Sequence, residues 1–286
     1  MATVPLRAEG AHEFSFSDRD FERVRRTIYE HAGIALSPAK REMVYSRLAR
    51  RLRVCGMDSF EHYLDALESG RIDEWEGFVN ALTTNLTAFF REPHHFPLLV
   101  EHVERHCRGR QILLWCSAAS TGEEPYSMAM TMVELFNSFT PPVKILATDL
   151  DTGVLAKAQA GVYDAERIEK ISPERQRRFF LRGSGANAGQ VKVRPELQGM
   201  IAFRRLNLLD PVWPMRGPFD AIFCRNVMIY FDKPTQLKVL EKFVPLLRPD
   251  GLLFAGHSES FHNATHLFRL RGKTVYQRAD RPSAGA

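Results

Sequence analysis

The chain has 286 residues, 44% hydrophobic and 26% charged, with a formal net charge of +5. This composition suits one large or two small globular domains with a sizeable core, and excludes a disordered chain. The mild positive charge favours an acidic partner without requiring nucleic acid.

The first ninety residues read as helices alone. Ser17 and Asp20 are placed to cap a helix carrying Phe21, Val24 and Ile28 on one face and ending near Gly33. Ser37-Pro38 marks a second start, since proline is favoured in the first helical turn. That helix carries Val44, Leu48 and Leu52 at four-residue spacing. Ser59 is placed to cap a third, with Phe60, Tyr63, Leu64 and Leu67, stopping at Gly70. A fourth holds Trp75, Phe78, Val79 and Leu82. A four-helix amino-terminal domain over 1–84 is expected, then a connecting segment over 85–110.

From Gln111 the pattern alternates. Apolar runs at 112–118, 143–150, 219–224 and 252–255 read as strands. Helices are expected at 124–135, at 152–160, and across Leu237, Leu240, Phe243, Leu246 and Leu247, the last closed by Pro249-Asp250-Gly251. Such alternation predicts an α/β fold: a doubly wound, mostly parallel sheet over 111–286. The stretch 163–206 breaks it with a helix near 172–180, the glycine-rich S-G-A-N-A-G, and strands at 191–193 and 201–206. It reads as a small α+β insertion. F-R-L-R-G-K-T-V-Y reads as a closing hairpin turning at Arg271-Gly272-Lys273. The tails 1–12 and 278–286 read as disordered.

Cys55, Cys107, Cys116 and Cys224 lack C-x-x-C spacing, which argues against a disulfide framework or a zinc site. His94 and His95 are adjacent and lack metal-ligand spacing, so no metal is expected. No signal peptide or membrane-spanning run is visible, and a cytoplasmic location is expected.

Ligands of open α/β sheets bind outside the carboxyl ends of the strands. F-D-A-I-F-C-R-N-V-M-I-Y-F, at 219–231, delivers Arg225, Asn226 and Tyr230 there. W-C-S-A-A-S-T-G-E-E, at 115–124, occupies the first cofactor loop. It is not the G-x-G-x-x-G fingerprint, and Glu123 and Glu124 at a helix start disfavour a phosphate and favour a cationic ligand, or simply cap the helix. Asp149 and Asp151 end the second strand. Asp151 fits the cap of the next helix, leaving Asp149 to accept the hydroxyls of a ribose. A cationic, phosphate-free adenosine cofactor fits these features, and S-adenosylmethionine is one.

T-T-N-L-T-A-F-F-R-E at 83–92, A-S-T-G-E-E-P-Y-S at 119–127, F-C-R-N-V-M-I-Y-F at 223–231 and L-L-F-A-G-H-S-E at 252–259 closely resemble the chemotaxis receptor glutamate methyltransferases. The likeness spans essentially the whole chain. It implies methyl transfer from S-adenosylmethionine to receptor glutamates by a Rossmann-like methyltransferase sheet with a helical amino-terminal domain and an inserted β-subdomain. It implies cofactor contacts at Asn85, Thr87, Arg91, Glu124, Asp149, Asn207, Leu208, Arg225 and Asn226. Tyr230 would lie beside the methyl group, and Arg91 would hold the cofactor carboxylate or orient the incoming glutamate, both as catalytic residues. It implies receptor contacts from the second helix, whose Lys40, Arg47, Arg50 and Arg51 form a basic sector, and docking of a receptor carboxyl-terminal peptide on the insertion. Partners are the receptors' helical bundle and no nucleic acid, with no membrane insertion; a monomer is expected. Two rivals are a nucleic-acid methyltransferase, which R-N-V-M-I-Y fits poorly because it lacks the prolines of N-P-P-Y, and a receptor-binding adaptor without catalysis.

Overall fold

The computed structural model describes residues 13–83 and 85–279. The expected disordered tails at 1–12 and 280–286 lie outside the described residues, whereas Arg278, assigned above to the tail, ends the last strand. The chain divides into two compact units, 1–84 and 85–286.

In the first unit α1 (Asp18–Ala32) begins with a reciprocal cap: the Ser17 hydroxyl accepts from the Asp20 N–H, and the Asp20 carboxylate accepts from the Ser17 N–H. Gly33 ends it at φ 67°, a left-handed position that suits glycine. Ser37-Pro38 starts a 3-10 turn, Pro38–Lys40, with no side-chain cap, and α2 (Arg41–Cys55) follows it. Ser59 caps α3 (Phe60–Glu68) by accepting from the His62 N–H, and α4 (Trp75–Leu82) completes the unit. Val24, Ile28, Val44, Leu48, Leu52, Tyr63, Leu64 and Phe78 form its core.

The basic sector of α2 is smaller than its spacing predicts. Arg47 donates to the carbonyls of Ala81 and Thr83 at the end of α4. Arg51 makes two bonds, 2.6 and 2.9 Å, to Glu74, a carboxylate buried at 7% exposure that also accepts from the Tyr63 hydroxyl. Helical periodicity places these arginines away from the apolar stripe, but α4 lies within their reach. Lys40 is half-buried and Arg50 is exposed.

The second unit contains, in chain order, α5 (His95–His106), β1 (Ile112–Cys116), α6 (Glu123–Phe136), β2 (Val143–Asp149), α7 (Thr152–Ala160), β3 (Val162–Asp164), α8 (Pro173–Phe179), β4 (Phe180–Arg182), β5 (Gln190–Val193), α9 (Pro195–Gln198), β6 (Ile201–Arg205), β7 (Phe219–Cys224), α10 (Lys233–Leu246), β8 (Leu247–Ala255), β9 (Phe268–Gly272) and β10 (Val275–Arg278). Seven strands form one sheet in the order β6-β2-β1-β7-β8-β10-β9. The first five are parallel, and the β9–β10 hairpin adds antiparallel strands at one edge. Strand alternation divides the core between its faces. Leu114, Cys116, Ala221 and Phe223 pack with α5 and α6, while Trp115, Ile222 and Cys224 pack with α10. This is the doubly wound arrangement expected. A separate antiparallel sheet, β3-β5-β4, lies between β2 and β6 in the chain.

Four local expectations are corrected. Residues 95–106 form a helix rather than a connection. Its inward face mixes Phe96, Leu99 and Val103 with His95 and His102, which hides the apolar period. The strand at 201–206 is not part of the insertion; it pairs with β2, Ile201 opposite Ile145, and forms an edge of the large sheet. Pro249-Asp250-Gly251 does not close α10. Leu247 pairs with Phe219 and Leu252 with Ala221, so the turn residues lie in an irregularity within β8. The hairpin turns one residue later than expected, at Lys273 and Thr274, both with positive φ.

Removing Arg51 would leave Glu74 buried without its cation. Arg51→Ala should destabilise the helical unit by on the order of 3 kcal/mol in urea titration. Arg53→Ala, which breaks an exposed pair with Glu13, should leave the same transition unmoved.

Candidate functional site

The carboxyl ends of β1, β2, β7 and β8 lie along one edge of the sheet, because the strands are parallel and in register. The loop after β1 turns sharply. Gly122 has φ 98°, and a Cβ there would sit 2.9 Å from both the Ala158 Cβ and the Tyr163 hydroxyl oxygen. Ser120 is also left-handed, at φ 48°. Its N–H donates to Asp149 Oδ2 at 2.8 Å and its hydroxyl to the Asn85 carbonyl at 3.2 Å.

Asp149 Oδ1 accepts from the Asp151 N–H at 3.0 Å. Asp151 caps α7, accepting from the Val154 N–H, and its second oxygen takes Asn85 Nδ2 at 2.9 Å. Asp151 is thus the helix cap that the spacing predicts. Burial pushes the Asp149 carboxyl up to about 6, with the two backbone N–H donors opposing that shift.

Beside them lies a buried charge cluster. The Arg225 side chain, 1% exposed, donates to Glu124 Oε2 at 2.6 Å and to the Arg91 carbonyl at 2.6 Å, and lies 3.3 Å from Glu92 Oε2. Its Nε has no hydrogen-bond partner among the described residues. Glu124 Oε1 accepts from the Cys116 thiol. Glu92 Oε1 accepts from the His257 N–H and, at 3.4 Å, from Asn226 Nδ2. Burial opposes ionisation of Glu92, but Arg225 and the His257 N–H hold its carboxyl below the usual range.

Asn226 is left-handed at φ 58°. Glu259, 4% exposed, secures it. One oxygen accepts from the N–H groups of Asn226 and Gly256, and the other from those of Val227 and Met228.

The remaining expected residues are more loosely connected. Arg91 Nη1 donates to the Leu86 carbonyl. The Thr87 carbonyl accepts from Arg167, which is also ion-paired to buried Glu123. Asn207 follows β6 and accepts from the Leu209 N–H, while Leu208 is buried in the core on the α10 side of the sheet. Tyr230 ends a 3-10 turn, Met228–Tyr230, half-buried against that core. Thus Asn85 and Asp149 are joined through Ser120 and Asp151, Arg225 joins Glu124 to the Arg91 carbonyl, and Glu92 joins Arg225 to Asn226. Sequence reasoning missed Glu92, Glu259 and Ser120 as organising residues. Each stood inside a quoted motif, but a buried acid among polar neighbours carries no periodic signal.

Two family descriptions match this chain: "CheR methyltransferase, SAM binding domain" over residues 85–277, and "CheR methyltransferase, all-alpha domain" over 19–83. The chain belongs to the CheR methyltransferase family. Chemotaxis protein methyltransferase 2 of Pseudomonas aeruginosa is 54% identical over 278 residues, covering 97% of this chain and 99% of the relative. The chemotaxis protein methyltransferase of Escherichia coli is 53% identical, covering 92% and 91%; a probable chemotaxis protein methyltransferase of Rhizobium etli is 40% identical, covering 87% and 96%. This CheR chain therefore uses S-adenosylmethionine. The residues fit that cofactor: small side chains over 117–122, acids at Glu124 and Asp149, and the unpartnered Arg225 Nε as a donor.

Glu259→Gln would set an amide N–H₂ against two buried N–H donors in either orientation. With each unsatisfied donor costing about 1–3 kcal/mol, the variant should lose roughly 2–6 kcal/mol of stability. Chemical denaturation followed by intrinsic fluorescence checks this.

Proposed function

We propose that this protein transfers a methyl group from S-adenosylmethionine to glutamate side chains of transmembrane chemoreceptors, forming methyl esters in the cytoplasm. The observation that carries the reading is the Glu124–Arg225–Glu92 cluster with Asp149 along one sheet edge of a CheR chain. The cofactor supplies an electrophilic methyl on a positive sulfonium. Asp149, held by Ser120 and Asp151, accepts the ribose hydroxyls, and Asn207 and Leu208 flank the adenine. Glu124 faces the cationic end of the cofactor, Arg225 offers Nε, and Asn85, Thr87 and Asn226 complete the cradle. Arg91 orients a carboxylate, and Tyr230 lies beside the methyl group.

A glutamate carboxylate has an unperturbed pKa of about 4.3, so it attacks already ionised and needs no general base. In-line displacement joins a negative nucleophile to a positive centre and neutralises both. Positioning is then the main contribution, worth up to roughly 7–11 kcal/mol for well-oriented groups.

Receptor recognition has two proposed sources. Exposed Arg50 on α2, with Lys40 in the turn before it, gives a positive surface for a glutamate-bearing helical bundle, with Arg47 and Arg51 set back in the unit's own packing. The β3-β5-β4 order leaves β3 and β4 as edges able to accept an added peptide strand. That would tether receptors ending in a suitable peptide. No helix among the described residues is long and apolar enough to cross a membrane.

Labelled S-adenosylmethionine incubated with receptor-containing membranes should yield a methylated receptor whose label is released by mild alkali. A base-stable product would instead indicate nitrogen methylation, and no transfer an adaptor. Arg50→Glu should slow transfer at low salt while leaving S-adenosylhomocysteine affinity unchanged, as calorimetry and rate measurements can show.

Asp149 gives a pH signature. Its folded pKa of about 6 exceeds the ordinary aspartate value, so its contribution to stability is present at low pH and is lost as pH rises through about 6. Ribose hydroxyls favour the ionised carboxylate. S-adenosylhomocysteine affinity should therefore fall below pH 6, towards tenfold per unit. Asp149→Asn should bind at least tenfold more weakly at pH 7.5 and lose this pH dependence in calorimetry.

A further inference from the structure

We propose that Glu92, His94 and His95 form a binding site for a divalent transition-metal ion, with zinc(II) the best match. Each residue offers one ligand atom, and the three atoms lie within 4.8 Å of one another. His95 is fully buried at the start of α5. Its Nε2 lies 3.0 Å from the Lys273 carbonyl and 3.1 Å from the Thr274 hydroxyl, which itself donates to the carbonyls of Ala255 and Lys273. Nε2 must therefore carry the proton, leaving Nδ1 as a bare acceptor. Nδ1 has no hydrogen-bond partner among the described residues, and Glu92 Oε2, 3.8 Å away, has only its ion pair with Arg225 at 3.3 Å.

A buried bare acceptor facing a carboxylate oxygen is costly unless something positive lies between them. With its proton on Nε2, His95 presents the Nδ1 lone pair to a ligand. Half-buried His94, its ring centroid 4.2 Å from that of His95, supplies the third ligand. Two imidazoles and one carboxylate with an open position match zinc chemistry. Arg225 opposes a cation here, as does the amino end of α5, but Glu124 holds Arg225 at 2.6 Å. Two carboxylates against one guanidinium leave the cluster net negative.

The site bears on the sheet edge. A metal on Glu92 Oε2 competes with Arg225 for that oxygen and pulls on the carboxylate that holds Asn226 and His257. Metal binding should therefore weaken the cofactor site. This coupling rests on the cofactor roles proposed above for Arg225 and Asn226; the metal site does not.

The test is cobalt(II) titration of the full-length, cofactor-free protein, read by the ligand-field absorption of low-coordinate cobalt and by displacement with zinc. One equivalent should bind. His94→Ala and His94→Gln should each lose at least about 100-fold in affinity, since losing a ligand costs no less than losing its outer-shell support. Saturating zinc should lower S-adenosylhomocysteine affinity in the wild-type protein and not in either variant, whose metal-free affinity should match wild type. Failure to bind metal, or unchanged binding in the His94 variants, overturns the site. Binding that leaves S-adenosylhomocysteine affinity unchanged overturns the coupling. If the protein proves to transfer no methyl group, the cobalt spectrum still decides the site.

Discussion

The buried guanidinium of Arg225 is the constraint around which the second unit's polar edge is arranged. A cation at 1% exposure is severely destabilising unless opposite charge and acceptors surround it. They come from two separated parts of the chain: Glu124 from the first turn of α6, and Glu92 and the Arg91 carbonyl from the segment before α5. Arg225 itself leaves the end of β7. Its charge therefore fastens that segment and the first cofactor loop to the centre of the sheet. Glu259 performs a related task for the next residues, collecting four backbone donors that would otherwise be buried unpaired.

The same region holds four of the non-glycine residues with left-handed backbone: Phe90, Glu92, Ser120 and Asn226. Each costs free energy locally, and such residues persist only where surrounding contacts over-determine them. Those contacts are visible. Ser127 accepts from the Phe90 N–H, Asp149 from that of Ser120, and Glu259 from that of Asn226. Ser120 and Asn226 lie in loops at the carboxyl ends of β1 and β7, and Phe90 and Glu92 in the segment before α5.

How much of this was legible depends on range. Helix caps are local, so Ser17, Ser59 and Asp151 were readable from spacing, and all three make the bonds their positions imply. The alternation of β1, α6, β2 and α7 was readable because buried parallel strands form continuous apolar runs. Contacts between distant segments were not. Arg47 and Arg51 looked like a free basic face because nothing within α2 announces Glu74 or the end of α4. β6 looked like part of the insertion because a short strand does not say which sheet it joins. α5 was hidden by two inward histidines, of which His102 bonds the Asp220 carbonyl across the sheet. Arg225, Asn226, Glu124 and Asp149 were readable from strand ends, Asn85, Thr87, Arg91, Asn207 and Leu208 only through family resemblance, and Glu92 and Glu259 had no signal of their own.

Asp149 shows how the arrangement favours a ligand. In the unfolded chain its carboxylate ionises freely at neutral pH. In the folded protein burial raises its pKa to about 6, and two backbone donors offset only part of that cost. The folded site thus holds a carboxylate with less solvation than it had in water. A ligand presenting paired hydroxyls restores donors without unfolding anything. The free energy that destabilises the empty site is the same quantity that makes binding selective. An apolar ligand of equal size would leave the carboxylate buried without new donors, and a phosphate would add charge beside Asp149 and Glu124. Under the roles proposed above for Asp149 and Glu124, a ribose next to a positive centre would satisfy both acids together.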